Sequence, residues 1–245
     1  DRIVFSSFFR TLQDKTQVFP MPEDDFVHSR LTHSLEVASV GRSLAKEVGK
    51  IILSKNKALR ESDIKYQDFG DVVSAACLAH DLGNPPFGHF GEQSISYFFL
   101  NTKEGRFFES MVKSEEWSDL INFEGNAQGF RILTNPNHGG LSLTYSTLAT
   151  FTKYPLSSSS KKNHTRQSQH KYGFFYNDFN YIDTIADELQ LTKTAEGNWL
   201  RHPLAFLVEA ADDICYSIID LEDATRLGLI SFEQTKNLLS EIIGS

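Results

Sequence analysis

Residues 71–80 form an apolar run of helical character that ends on the bare pair His80-Asp81, and Gly83-Asn84-Pro85-Pro86 follows at once. Proline lacks an N–H and its ring clashes with the preceding turn, so the helix cannot continue through this segment. The chain must stop, turn and restart. The spacing predicts a new helix over 88–99, carrying a second histidine, His89, and a glutamate, Glu92. The same periodicity recurs elsewhere. Over 30–48, Leu31, Leu35, Ala38, Ala45 and Val48 fall at helical spacing, opposite Glu36, Arg42, Lys46, Glu47 and Lys50. A further helix is predicted over 203–223, opened by His202-Pro203 with proline in the first turn. Another spans 231–243, with Ser231 and Gln234 at capping-box spacing. With no comparable set of alternating strands and no internal repeat, the fold class expected is all-α.

Composition bounds what such a helical chain can be. With 245 residues and 40% hydrophobic content, it can bury a substantial core, and one domain over 1–245 is the expectation. No run approaches the roughly 18 apolar residues of a membrane span, and no charged-then-apolar leader opens the chain, so no membrane partner and a cytoplasmic location are expected. Cys77 and Cys215 sit in apolar helical patterns and read as buried thiols rather than a disulfide framework. A net charge of -8 argues against a general nucleic-acid coat, and nucleic acid is not required as a partner. A small polyanion remains possible where positive charge gathers. Residues 156–172, rich in serine and basic side chains, read as a mobile polar loop in which Lys161, Lys162 and Arg166 are solvated.

The helix end at His80-Asp81 has chemical meaning. Adjacent side chains do not share a helix face, yet both reach one ion if the helix stops there. Imidazole nitrogen with carboxylate oxygen suits borderline or hard divalent metals such as Mn, Fe, Ni or Mg. Two ligands bind weakly. His33 falls beside Val37, Val40 and Leu44 on the apolar side of its helix, and is a natural buried third. Either member of the pair Asp212-Asp213 offers a fourth.

These residues carry a resemblance. The blocks "RLTHSLEVA", "AHDLGNPPFGH", "EGNAQGFRIL" and "EAADDICYSIIDLEDA", with the opening "SSFFRTLQDKTQVFP", resemble the HD-domain deoxynucleoside triphosphate triphosphohydrolases, most closely the bacterial dGTP triphosphohydrolase branch. Members of that family are usually longer, so the chain is expected to be a single HD phosphohydrolase domain, short at both ends. The resemblance implies an HD-domain helical fold with one divalent metal ion held by His33, His80, Asp81 and Asp212. The family pattern, not the periodicity, chooses Asp212 over Asp213.

It further implies His89 as the catalytic histidine and Glu92 as its orienting partner. Their spacing of three on one helix suits a carboxylate that fixes an imidazole tautomer. The reaction implied is hydrolysis of dGTP, or of other deoxynucleoside triphosphates, to deoxynucleoside and tripolyphosphate. Arg30, Lys153 and Lys171 are the implied phosphate cations. The resemblance also implies that Tyr216 packs against the sugar and that Gln17 and Asp220 bond its 3'-hydroxyl. A homo-oligomer is implied as well. Glu124 and Asn126, in the third block, carry no assigned role beyond capping a helix that begins near Asn126. Two other readings compete: a different HD phosphohydrolase acting on a nucleoside monophosphate or an alarmone, and a non-catalytic regulatory HD protein. The Gln17, Tyr216 and Asp220 set opposes the first. Intact ligands together with His89 and Glu92 oppose the second.

Overall fold

The computed structural model describes residues 1–17, 27–135, 140–163, 171–195 and 197–244. A short helix, α1 (Ser7–Arg10), leads by a 3-10 turn towards α2 (Arg30–Lys55), the longest in the chain. Ser29 and Thr32 close a capping box that starts α2, and Asn56 ends it while its own side chain caps α3 (Lys57–Arg60). The helix runs past the expected end at residue 48 because nothing before Asn56 breaks it. The next helix, α4 (Tyr66–Ala79), begins five residues earlier than the apolar run, where Asp68 accepts a hydrogen bond from the Lys65 N–H at 2.7 Å.

The break after His80 is as the prolines demand, and α5 (His89–Asn101) restarts on the far side. Then follow α6 (Lys103–Phe107), α7 (Ser114–Ile121), α8 (Gly125–Thr134), α9 (Tyr145–Phe151) and α10 (Phe179–Glu188). The last two, α11 (Ala205–Arg226) and α12 (Phe232–Ile243), match the expected pair, with the Ser231–Gln234 capping box formed. Pro203 stands before the N-cap Leu204 rather than in the first turn of α11, since His202 takes the Leu204 N–H on its own ring nitrogen. Among the described residues, strand pairing is confined to the isolated bridges Thr16–Ser29, Ser157–Phe174 and Lys193–Trp199, so the fold is all-α. No described helix is long and apolar enough to cross a membrane.

Helices α2, α4 and α11 form the centre. Gly41 lets them close up: a Cβ there would lie 2.6 Å from Cys77 Sγ and 3.4 Å from the Ala211 methyl. One hydrophobic cluster runs from Ile3 through Val37, Val73, Phe130 and Ile185 to Ile219. Cys77 and Cys215 belong to it, and burial pushes their thiols up to about 12 and about 11, which leaves them inert at neutral pH.

The serine-rich segment differs from the expected loop. Ser158 is buried and donates to Asp119 Oδ1 at 2.6 Å, and at the other end Tyr172 is wholly buried, its hydroxyl on the Asp119 carbonyl. A buried carboxylate needs donors, and this segment supplies them. Residues 164–170, with Arg166, lie outside the described residues, as do the side chains of Lys161 and Lys162.

At the other end of the core, His28 ties the approach to α2 onto the end of α11, with its Nδ1 2.9 Å from Asp223 Oδ1 and Nε2 3.4 Å from Glu36. Burial alone would lower the His28 pKa, but Asp223 and then Glu36 outweigh it and raise it above the ordinary 6.5. A raised folded pKa means stability that is fully present below the unfolded value and lost as pH climbs through the folded one. The gap in Tm between the wild type and Asp223→Asn should therefore be widest below about pH 6.5 and shrink above it. A gap independent of pH would show that His28 carries no charge in this contact.

Candidate active site

The site forms where α4 stops. His80 is the C-cap of α4, and its Nδ1 lies 2.7 Å from the carbonyl of Cys77. A carbonyl only accepts, so Nδ1 carries a proton and Nε2 is left for the cavity side. That Nε2 lies 3.6 Å from Asp81 Oδ1 and 3.5 Å from Asp212 Oδ1. His33, buried on α2 as its apolar position predicts, brings its Nε2 to 3.1 Å from the same Asp212 oxygen. Its ring packs edge-on against His80 with centroids 5.3 Å apart.

Imidazole nitrogens and carboxylate oxygens gathered this way can share protons or surround a cation. Donor atoms of His33, His80 and Asp81 all fall within 4.8 Å of one another. Adjacent ligands of one octahedral ion at about 2.1 Å stand about 3 Å apart, so the spacings fit a single divalent ion with slight closure. The mixed N/O donor set and the His80–carbonyl bond behind it make the cluster a candidate metal site. Asp213, the alternative to Asp212, points to solvent.

Each carboxylate divides its two oxygens between histidine and cation. Asp81 Oδ2 accepts from Arg30 at 2.8 Å, and Asp212 Oδ2 from Lys153 at 3.0 Å. Burial pushes both carboxyls up, yet the positive neighbours win and hold both below the ordinary range: His80, Arg30 and His33 around Asp81, and His80, His33 and Lys153 around Asp212. Arg30 and Lys153, expected as phosphate cations, are thus ion-paired to these carboxylates. Both still line the cavity. Arg30 keeps a buried Nε without a partner.

That cavity measures about 440 Å³ and gathers Gln17, Arg30, Lys153 and Lys171 with His80, Asp81, Asp212, His89 and Tyr216 on its wall. His33 lies behind the wall, only 1% exposed, and reaches it through Asp212. Asp220 is not on the wall either. It hydrogen-bonds Tyr216 and keeps a buried Oδ1 without a partner, as does Gln17 Oε1. His89 projects its ring with 71% of the side chain exposed, and its Nδ1 rests 2.7 Å from Glu92 Oε2. A second, more open cavity of about 620 Å³ continues past His89 and Lys171.

Sequence reasoning missed Asn84, which it read only as part of the helix break. Its Nδ2 donates to Asp81 Oδ1 at 2.5 Å, and its carbonyl accepts from Lys15 Nζ at 2.7 Å. The signal was present as an amide three residues after a ligand carboxylate. Glu124 is also placed differently from expectation. It occupies the N-cap position of α8, yet its carboxylate turns to Asn126 Nδ2, and burial with the Glu92 charge nearby pushes it up.

The model of the HD domain matches residues 30–126, which hold His33, His80, Asp81, His89 and Glu92. Residues 30–126 are thus an HD domain. Along its length this HD-domain chain is similar to curated proteins with telling names. A "Deoxyguanosinetriphosphate triphosphohydrolase-like protein" of Pseudomonas aeruginosa (strain LESB58) is 44% identical over 100% of the chain and 55% of its own length. One of the same name from Synechocystis sp. is 46% identical over 99% of the chain and 57% of its length. A "Deoxyguanosinetriphosphate triphosphohydrolase" of Yersinia enterocolitica is 37% identical over 95% of the chain and 50% of its length. The chain thus spans about half the length of the curated relatives it matches. Asp212, Tyr216 and Asp220 lie beyond the matched HD range, on α11.

Proposed function

We propose that this HD-domain chain carries the catalytic centre of a metal-dependent phosphohydrolase that splits dGTP, or other deoxynucleoside triphosphates, into deoxynucleoside and tripolyphosphate. One observation carries the reading: metal-type donors, an oriented histidine and the cations Arg30, Lys153 and Lys171 share one cavity. A divalent ion held by His33, His80, Asp81 and Asp212 would polarise a phosphoryl oxygen and activate a bound water. Lys171, with no ion pair among the described residues, is free to take phosphate charge, while Arg30 and Lys153 hold the ligand carboxylates and present their remaining donors. His89, its Nδ1–H donated to the Glu92 carboxylate, offers Nε2 for proton transfer at the scissile ester. Tripolyphosphate release from each of the four dNTPs, with and without added Mn, tests the reaction. Hydrolysis of a monophosphate alone, or nucleotide binding without turnover, would replace this reading. A cytoplasmic homo-oligomer belongs to the same proposal, checked by sedimentation.

The sugar end yields a sharper prediction. Tyr216 lines the cavity one turn beyond Asp212 on α11, so a sugar beside a phosphate at the metal donors would meet its ring. A ring packed on C2' leaves no room for a 2'-hydroxyl and cannot satisfy one forced in. Such rejection exceeds the roughly 1–3 kcal/mol that a pocket gains from one methylene. Tyr216→Ala should narrow the preference for dGTP over GTP, chiefly by admitting GTP. Asp220→Ala should weaken both nucleotides, since both carry a 3'-hydroxyl and the unpaired oxygens of Gln17 and Asp220 suit one. The measurement is kcat/KM for the two nucleotides; an unchanged ratio in Tyr216→Ala removes it from the sugar site.

A further inference from the structure

We propose that Gly125 is a positioning residue for the His89–Glu92 pair, its N–H anchoring the Glu92 carboxylate and its missing side chain making the anchor possible. The inference rests on the reading of His89 as the acid–base group.

Helix α8 begins at Gly125, and the first N–H groups of a helix have no partner inside it. Glu124, at the N-cap, gives no side-chain capping bond. Glu92 of α5 takes the first of these N–H groups: Gly125 N donates to Glu92 Oε1 at 2.7 Å, and the other oxygen lies 2.7 Å from His89 Nδ1. The bond is buried and charge-assisted, and the positive end of the helix favours the anion. Both carboxylate oxygens are thereby committed, one to rigid backbone and one to the imidazole. A glutamate on its own flexible stem would leave His89, so exposed, to choose its tautomer and rotamer freely.

The close approach is possible only without a Cβ. An added methyl at residue 125 would lie 2.3 Å from Asn84 Oδ1 and 2.9 Å from Glu92 Oε1. Asn84 cannot retreat as a unit, because Lys15 holds its carbonyl and its Nδ2 bonds Asp81. Gly83 brings the same segment against α8, where a Cβ would lie 2.0 Å from the Gly125 carbonyl oxygen and 2.1 Å from the Gly129 nitrogen. The turn after the His-Asp pair and the start of α8 therefore touch backbone to backbone. Gly125→Ala therefore has to push aside both the Asn84 amide and the Glu92 carboxylate, and the second displacement releases His89.

The expected result for Gly125→Ala is a fall in kcat of about 10–100-fold with KM near the wild-type value, as for loss of a partner that orients a reacting group. In a Glu92→Gln background the same change should add little, because the two act through one contact. Ring ¹⁵N shifts of His89 should pass from a single Nδ1–H tautomer to a mixture. Losses that multiply in the double variant, or unmoved ring shifts, would overturn the proposal. Should Gly125→Ala fail to fold, the wild type and Glu92→Gln decide: the Gly125 amide proton must shift when the carboxylate becomes an amide, and a fixed resonance sinks the anchor. A fully active His89→Ala would instead defeat the reading of the reaction, while the ring and amide shifts still report the anchor.

Discussion

Asp81→Ala is expected to lose turnover and bound metal together. Asp81 Oδ1 is one of the oxygens that face His80 Nε2, and the other candidate donors are expected to hold a divalent ion poorly without it. The substitution also strips Arg30 of its partner. Arg30 is 8% exposed, and an uncompensated buried charge costs about 3–5 kcal/mol, so Tm should fall as well. Asp81→Asn separates the two effects. It keeps a hydrogen-bond acceptor near Arg30 but removes the charge, so it should lose metal while recovering part of the stability. Metal content by mass spectrometry, tripolyphosphate release and thermal unfolding on the three proteins decide the matter. Full activity without bound metal would sink the assignment of these four residues.

Much of this site was legible in sequence because helices translate spacing into direction. His33 at an apolar position of α2 is buried, as the wheel requires, and the Gly83–Pro86 break ends α4 within a residue of the His-Asp pair. Asp212 and Tyr216, four apart on α11, meet the same cavity. What stayed hidden depended on contacts between distant segments, which no local period encodes. The pairing of Arg30 with Asp81 joins residues 51 apart, and that of Lys153 with Asp212 residues 59 apart. Each gives an expected phosphate cation a carboxylate partner as well. Tertiary donors likewise overrode composition at Ser158 and Tyr172, where a polar stretch read as loop packs on the buried Asp119. The anchoring of α8 was hidden for the same reason: its Gly125 N–H meets a carboxylate 33 residues earlier in the chain.

His89→Ala should separate chemistry from binding most cleanly. The ring is 71% exposed, so its removal leaves no cavity and little change in Tm is expected. Neither His80, Asp81 nor Asp212 touches it through a hydrogen bond or ion pair, so metal content should match the wild type. Glu92 remains held by the Gly125 N–H, so the surrounding backbone keeps its shape. Only the group that moves a proton is gone, and acid–base assistance is commonly worth about 10²–10⁴ in rate. The loss should therefore appear in kcat and kcat/KM alike, with nucleotide still bound at a concentration near the wild-type KM. Glu92→Gln should fall between, since it leaves the imidazole but weakens the bond that selects its Nδ1–H tautomer. A change confined to KM would make His89 a phosphate-binding residue, and proton transfer would have to be assigned to another group on the cavity wall.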